Sequence, residues 1–546
     1  MKLELLTKNT EQSIDLSPEF DLIDPSTINR HIQELKVKRK SLDRSIEINP
    51  SSIGFGIFKF KIVKPKDENE SKYSIFDGFY RTGLLTYLSD HFGFYRLTTS
   101  HNTYMLVKEE NGIIEEVSSC TIRNKILEYI TELGGINFEF NGLLFSETQE
   151  TLTESFHNHH HYLIAGNQMD LIKDIKKPFL RDDIETSYFF FKNGIVKVKR
   201  GEKKELIPFG EFKGFIIWKS WIRDHEIDLE NNNDAGHFSE FIKNVSGTSL
   251  KEESFISALG YLLHNINIPS KNQAVICYDE KITNIKKPMG GTGKGLYSNA
   301  TGKIRDICTI DGKRFKEDDK FNLQKVSPST QLVFIDETSP KFDFTFLNSV
   351  LSDGLTIEKK NQDAFRFDKS SSPKFIIASN GIMASEGTTI KRRQHILEFT
   401  DFYSSKIIHG NEEPIRDYHN GLFFDDWDPQ EWNRFYCFML NANQLYFEKG
   451  LVESPAKNIL KNRLIQITSE EFYEWTESQC FEEKEYETET LFYDFKNTYL
   501  GSDSTFKQRS FNNWMKDFAS SKGLELKVNR SNSVSKFRLF KPKTTN

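Results

Sequence analysis

The sequence predicts an α/β protein whose core is built around a strand, a glycine-rich loop and a helix. The apolar run at 274–277 is bounded by charged residues and is typical of a buried strand. Two further apolar runs, at 332–335 and 375–378, end in polar residues. Such strands beside a glycine loop, within the length of one domain, indicate an α/β core.

The loop after the first strand has the residues of a phosphate cradle, which are Gly290, Gly291, Thr292, Gly293, Lys294, Gly295 and Leu296. Glycines let backbone N–H groups turn towards an anion, and a helix that starts here adds partial positive charge. We predict that this loop binds ATP and that Lys294 reaches the β- and γ-phosphates. The alternative is an ordinary glycine turn. The usual pattern has a glycine where Pro288 stands, and a Ser or Thr hydroxyl for Mg²⁺ where Gly295 stands.

Length and composition describe a globular chain of several domains. Its 546 residues suffice for about three or four domains, and 37% hydrophobic and 13% aromatic content excludes a disordered chain. The net charge of −6 excludes a polycation, so nucleic-acid contacts have to come from local basic patches. The five scattered cysteines predict free thiols in a reducing compartment. Without an apolar leader or a run of spanning length, we expect a soluble cytoplasmic protein that makes no membrane contact.

Polar residues follow the second and third apolar runs. Beside a phosphate loop, Asp336 is predicted to hold Mg²⁺ and Glu337 to polarise the attacking water. Asn380 is predicted to orient the same water against the γ-phosphate. The structural alternatives are a surface acidic pair and a strand-end asparagine that starts a turn, since Gly381 follows it.

Two basic features complete the pattern. Arg393 precedes a strand-like run and is predicted to reach the γ-phosphate on a neighbouring subunit; the alternative is a solvated basic turn. Between the second and third strands, residues 352–367 predict a hairpin with Lys359 and Lys360 at its tip. In a ring ATPase this tip would point into the pore, where either lysine can grip a phosphate backbone.

Taken in order, the Gly-Gly-Thr-Gly-Lys-Gly loop, Phe-Ile-Asp-Glu, Glu-Lys-Lys, Ala-Ser-Asn and Arg-Arg resemble a superfamily 3 helicase. The resemblance is narrower to the phage, plasmid and poxvirus primase-helicase group of the AAA+ class, and it covers roughly residues 234–451. Stretches at 259–264, 311–313 and 424–435 add to it.

The resemblance implies an AAA+ motor core, a homo-hexameric ring, and ATP hydrolysis with Mg²⁺ between subunits. It further implies translocation on single-stranded and forked DNA, and replication proteins such as a primase or polymerase as partners. The working residues that it implies are Lys294, Asp336, Glu337, Asn380 and Arg393.

The N-terminal region has no assignable catalytic motif. A primase centre needs closely spaced carboxylates for two metal ions. The nearest candidates, Asp77 and the pair Asp182-Asp183, are more simply surface turns. His157 and His161 lie one helical turn apart and could chelate a metal, but a solvated helix end is the simpler interpretation.

The C-terminal tail at 506–540 predicts a helix followed by two strands, which is the outline of a winged helix. Lys507, Arg509 and Lys516 on the helix are predicted to contact duplex phosphates. A surface for protein contacts is the alternative.

These predictions divide the chain into five parts. They are an N-terminal α+β domain at 1–200, a helical linker or collar at 201–265, the AAA+ motor core at 266–405, a helical lid at 406–480 and a winged-helix-like domain at 481–546.

The leading functional hypothesis is an ATP-dependent DNA helicase of phage or mobile-element replication, working in the host cytoplasm if phage-encoded. A bifunctional primase-helicase is one alternative. A nucleotide-binding scaffold or loader that does not hydrolyse ATP is another, and Gly295 motivates it.

Overall fold

The protein has a mixed α/β fold with a parallel central sheet and many helices. The computed structural model describes residues 2–7, 10–15, 52–65, 71–100, 103–140, 142–231, 233–268, 270–281, 291–316, 319–339, 342–360, 362–383, 392–407, 413–454, 458–479, 481–482, 484–501, 504–531 and 534–540. Two compact units make up the chain: Met1–Phe179 with Gly214–Lys219, and Leu180–Lys213 with Ser220–Asn546. No helix in the described part of the chain has the length and apolar character needed to cross a membrane.

The strands are β1 (Lys2–Thr7), β2 (Thr10–Asp15), β3 (Ser52–Phe55), β4 (Phe58–Val63), β5 (Tyr73–Phe79), β6 (Phe94–Ser100), β7 (Thr103–Glu110), β8 (Ile113–Glu116), β9 (Gly135–Phe140), β10 (Leu143–Thr148), β11 (Thr186–Phe191), β12 (Gly194–Lys199), β13 (Glu205–Ile207), β14 (Ile217–Trp218), β15 (Ile222–Arg223), β16 (Ala274–Asp279), β17 (Ile307–Asp311), β18 (Leu332–Thr338), β19 (Thr356–Lys359), β20 (Gln362–Arg366), β21 (Lys374–Ser379), β22 (Gln394–Phe399), β23 (Glu485–Glu487), β24 (Glu525–Ser531) and β25 (Val534–Phe540).

The α-helices are α1 (Arg81–Asp90), α2 (Ser119–Leu133), α3 (Gln149–Leu163), α4 (Gly166–Met169), α5 (His237–Ser246), α6 (Ser249–Leu263), α7 (Lys294–Gly302), α8 (Thr345–Asp353), α9 (Ser404–Ile407), α10 (Pro414–His419), α11 (Pro429–Lys449), α12 (Ile459–Ile467), α13 (Glu470–Ser478), α14 (Thr488–Phe495) and α15 (Gln508–Ser521).

The first unit combines small antiparallel sheets with helices. Its sheets are β1-β2, β3-β4-β5, β9-β10 and β6-β7-β8, the last extended by the short parallel strand β14. Helix α2 shows why the sequence folds this way: Ile122, Ile126 and Ile130 recur every four residues and are fully buried. Strands β7 and β8 pair as a hairpin, and the predicted solvated helix end is confirmed, because His157 and His161 are exposed in the last two turns of α3.

The second unit is organised around a five-stranded sheet in the order β17-β18-β21-β16-β22. Every neighbouring pair is parallel, so all carboxyl ends lie at one edge. The predicted buried strands before the glycine loop and before Asp336 are β16 and β18. Strand β16 lies where the chain order reverses, which is the position at which open α/β sheets bind ligands.

Both faces of this sheet are covered, because alternate residues of a strand point to opposite faces. Val275 and Cys277 pack in one apolar cluster with α5, α6 and α11, whereas Ala274 and Ile276 pack in a second cluster with α8. The three central strands β16, β18 and β21 therefore have apolar side chains on both sides, and their charged groups lie at the strand ends.

Two further hairpins belong to the second unit. Strands β11 and β12 pair with Phe191 opposite Gly194, so the turn is Lys192-Asn193. At the C-terminus, α15 is followed by the antiparallel pair β24–β25, and β23 extends that sheet. The predicted order of a helix and two strands is thus confirmed.

A buried ion pair joins the segment before β11 to Arg305, which follows α7. Asp182 Oδ2 lies 2.7 Å from Arg305 Nη2 and 2.7 Å from the backbone nitrogen of Asn265. Arg305 also donates to the carbonyls of Leu263 and Tyr188, at 2.7 and 2.8 Å. The prediction of a surface turn is therefore wrong for Asp182, whose carboxylate is occupied by a structural contact.

Arg305→Met should strongly destabilise the second unit. The substitution keeps an unbranched apolar stem but leaves the Asp182 carboxylate buried without its cation, which typically costs about 3–5 kcal/mol. Urea unfolding measures this loss. The matched control is Arg416→Met, because Arg416 pairs with Glu413 in an exposed contact and should change the unfolding midpoint little. Equal shifts for the two variants would contradict the assigned role of the buried pair.

Candidate nucleotide site

The glycine loop lies at the carboxyl edge of the parallel sheet, between β16 and α7. Gly290 is outside the described residues, while Gly291 and Gly293 have φ values of 87° and 98°. This left-handed backbone favours glycine. Helix α7 begins at Lys294, so its free N–H groups face the loop. The geometry is that of an anion cradle.

Lys294 is held inside the loop by a carboxylate that the sequence pattern did not indicate. Its Nζ donates to Oδ1 of Asp279, the last residue of β16. The hydroxyl of Thr292 donates to the same oxygen at 2.7 Å, and Lys294 Nζ lies 3.3 Å from that hydroxyl. All three residues are less than 10% exposed, at 8%, 5% and 7% for Asp279, Thr292 and Lys294.

Gly293 and Gly295 differ in the space around them. A Cβ on Gly293 would lie 2.6 Å from Cε2 of Phe241, so the loop packs tightly against α5. A Cβ on Gly295 would meet nothing within 4 Å. Ser298, which is one turn further along α7 and which could have replaced the missing hydroxyl, is fully buried and donates to the Lys294 carbonyl at 2.9 Å. Leu296 is the third residue of α7 and partly buried.

Asp336 and Glu337 lie at the end of β18, at the same edge of the sheet. The strand is irregular here: its register with β21 shifts between Ile335 and Thr338, and Glu337 has a left-handed φ of 53°. Backbone strain of this kind in a non-glycine residue is typical of functional sites. Glu337 is exposed and its carboxylate pairs with Lys313.

Asp336 is half-buried, and burial raises the pKa of its carboxyl group, while the positive charge of Lys294 acts in the opposite direction. Asn380 follows β21, the strand between β18 and β16, and is partly buried. The structure therefore brings Lys294, Asp336, Glu337 and Asn380 to one edge of one sheet.

Arg393 lies at the opposite edge, immediately before β22. It is 8% exposed, and its guanidinium donates to the Asn272 carbonyl at 3.1 Å and to Ser352 Oγ at 2.8 Å. Its neighbour Arg392 is exposed. The sequence shows two adjacent arginines but cannot show which of them faces the interior.

The remaining predicted contacts are on the surface. The predicted hairpin is present as β19–β20, with Lys360 exposed at its tip and Lys359 Nζ 5.5 Å from the Phe365 ring centroid. Lys507 precedes α15, and Lys507, Arg509 and Lys516 are exposed.

Metal ligands are limited in the part of the chain that the structure describes. No group of three or more His, Cys, Asp and Glu side chains there has the geometry to hold a metal ion. In the first unit, the carboxylate of Asp77 pairs with Lys59 in an exposed contact. Mg²⁺ commonly takes only one or two carboxylates together with phosphate oxygens and water, so Asp336 fits that role.

Similarity to known proteins is found only among solved structures. No protein-family model matches the chain, and no curated protein matches it. Two apo structures of the NrS-1 C-terminal region are 13% identical, with TM-scores of 0.32 and 0.34, over 84% of this chain and 99% of theirs. A JCV helicase with a bound small molecule is 11% identical, with a TM-score of 0.23, over 44% of this chain and 65% of its own. These scores are too low to establish a common fold.

Alanine at the two loop glycines should have opposite effects on stability. Gly293→Ala forces a Cβ into Phe241 and into a left-handed backbone, so we expect a loss of about 2 kcal/mol or more. Gly295→Ala places a methyl group in open space in the first turn of α7, and we expect a gain of up to about 1 kcal/mol. Urea unfolding compares the two. A destabilised Gly295→Ala would show that this part of the loop is packed differently.

Proposed function

We propose that this protein is an ATP-dependent DNA helicase of the AAA+ class, resembling superfamily 3. The observation that carries the proposal is one edge of a parallel sheet at which Lys294 and the glycine loop meet Asp336, Glu337 and Asn380. A phosphate cradle and a strand-end acidic pair are the two parts that phosphoryl transfer from a nucleotide requires.

In the proposed mechanism, backbone N–H groups of the loop and the ammonium of Lys294 bind the β- and γ-phosphates. Asp336 would hold Mg²⁺, which when bound would supply positive charge for the phosphate oxygens. Glu337 accepts a proton from the attacking water, and Asn380 orients that water. Before Glu337 can accept that proton, its carboxylate has to separate from Lys313, or the two side chains have to move together.

For the residue that completes the site from a neighbouring subunit, the geometry favours Arg392 over Arg393. A guanidinium that acts on another subunit has to reach outwards. Arg392 is exposed, whereas the Arg393 side chain is engaged with Asn272 and Ser352 in its own chain. This role requires a ring, and we propose the hexamer that the family resemblance implies.

For the DNA contacts, we propose that Lys359 and Lys360 bind the phosphates of a single strand from the β19–β20 hairpin. The helix α15 and the β24–β25 hairpin have the outline of a winged helix, and Arg509 and Lys516 lie seven residues apart on an exposed face of α15. We propose that this face contacts the duplex ahead of the strand.

A second candidate function is a nucleotide-binding scaffold that does not hydrolyse ATP. Gly295 favours it, because no hydroxyl of the first α7 turn is available for Mg²⁺ and Ser298 is buried with its hydroxyl bonded to the helix backbone. The two candidate functions differ in whether ATP is hydrolysed, and one hydrolysis assay distinguishes them.

We expect ATP hydrolysis that single-stranded DNA stimulates and that Lys294→Ala reduces at least ~100-fold, since the variant removes the phosphate-binding charge. The steady-state rate of phosphate release measures this. Lys243→Ala is the matched control, because Lys243 is exposed on α5 and belongs to the same unit. ATP binding without turnover would support the scaffold, and turnover unaffected by Lys294→Ala would place the chemistry elsewhere.

We further expect Arg392→Ala to impair ATP hydrolysis and Arg393→Ala to impair stability. Arg392→Ala should keep its stability and lose about 10³-fold or more in hydrolysis, whereas Arg393→Ala should lose stability because it breaks two contacts. Mixing Lys294→Ala with Arg392→Ala subunits should restore part of the hydrolysis, since some interfaces then hold an intact Lys294 and an intact Arg392. Absence of any restored activity in a mixed ring would contradict action between subunits.

A further inference from the structure

The loop that is proposed to bind phosphate already holds an anion from its own chain. Asp279 accepts hydrogen bonds from the ammonium of Lys294 and the hydroxyl of Thr292, and both donors use the same carboxylate oxygen. Lys294 is the group that the proposed function assigns to the phosphates. The Asp279 carboxylate is therefore already paired with Lys294, the principal cation of the cradle.

Burial makes the loss of this contact energetically costly. Each of the three residues is more than nine-tenths buried, so Lys294 without Asp279 would be a buried charge that lacks its hydrogen-bonded counter-ion. When a phosphate binds Lys294, the carboxylate has either to withdraw or to stay near a second negative charge. Both outcomes raise the free energy of the bound state relative to a loop without Asp279.

We propose that Asp279 is a resident anion that fills the phosphate position of the empty loop and sets its affinity for polyphosphates. This inference rests on the proposed function, because it assumes that the loop is the phosphate site. Asp279 here is a positioning residue. It keeps Lys294 inside the loop when nucleotide is absent, and it competes with the β- and γ-phosphates of a nucleoside di- or triphosphate.

The proposal has a consequence for turnover. After hydrolysis, the Asp279 carboxylate pairs with Lys294 again as the remaining phosphates leave. The empty loop is therefore restored without leaving the buried ammonium unpaired. An NTPase that has to release its product in every cycle benefits from such a competitor, because a very tight phosphate site would retain the diphosphate.

The test is polyphosphate binding by isothermal titration calorimetry with a chelator present, so that no metal takes part. The probes are inorganic tripolyphosphate, ADP and adenosine. Asp279→Asn should bind tripolyphosphate and ADP about tenfold more tightly than the unchanged chain, which corresponds to about 1.4 kcal/mol. Adenosine, which has no phosphate, should show no gain.

Further variants separate charge from packing. Asp279→Ser is smaller and neutral and should give the same gain, whereas Asp279→Glu keeps the charge and should not. Asp306→Asn is the matched control: Asp306 accepts from Ser220 and Ser329 beyond the other end of α7 and does not contact Lys294. The thermal midpoint without ligand should fall for Asp279→Asn, and the rise on adding tripolyphosphate should grow.

The outcomes are distinct. Equal or weaker tripolyphosphate binding by both neutral variants would overturn the role of Asp279 while leaving the proposed function in place. No tripolyphosphate binding by the unchanged chain or any variant would overturn the phosphate site itself, and with it both proposals. A gain for adenosine equal to that for tripolyphosphate would show that the substitution acts through packing and not through charge.

Discussion

Burial of both faces of the five-stranded parallel sheet is the constraint on which the second unit depends. Because helices cover each face, every residue of β16 and β21 is buried, and β18 is nearly as enclosed. The charged side chains of these three strands therefore lie at the strand ends. The carboxyl edge collects the glycine loop, Asp336, Glu337 and Asn380, and the irregular end of β18 shows that the backbone departs from regular pairing there.

Much of this core could be predicted because its signals are local. A run of apolar residues that ends in charge describes β16 and β18 without further information, and adjacent basic residues between two short runs describe the β19–β20 hairpin. The C-terminal helix and two strands are equally local in pattern. The division of the chain into five parts by residue number remains a prediction, as do the roles assigned to the individual site residues.

What the sequence could not show depends on distant partners. Asp182 resembles a surface turn until Arg305, which is far away in sequence, is placed against it. Asp279 belongs to a charged run after an apolar strand, and only the fold shows that Lys294 turns back to it. Two adjacent arginines differ in whether their side chains point inwards, and that difference depends on Asn272 and Ser352. A signal for Asp279 was present, since an acid at the end of the strand before a phosphate loop lies near the cradle.

We have proposed that the loop at the end of β16 binds nucleotide phosphates and that Asp336 would hold the metal. A cryo-electron microscopy structure with a non-hydrolysable ATP analogue and Mg²⁺ would locate both groups. We expect phosphate density against Gly291, Thr292, Gly293 and Lys294, metal density beside Asp336, and Lys294 released from Asp279. Analogue density at another place, with Lys294 still bonded to Asp279 at saturating analogue, would contradict the proposal.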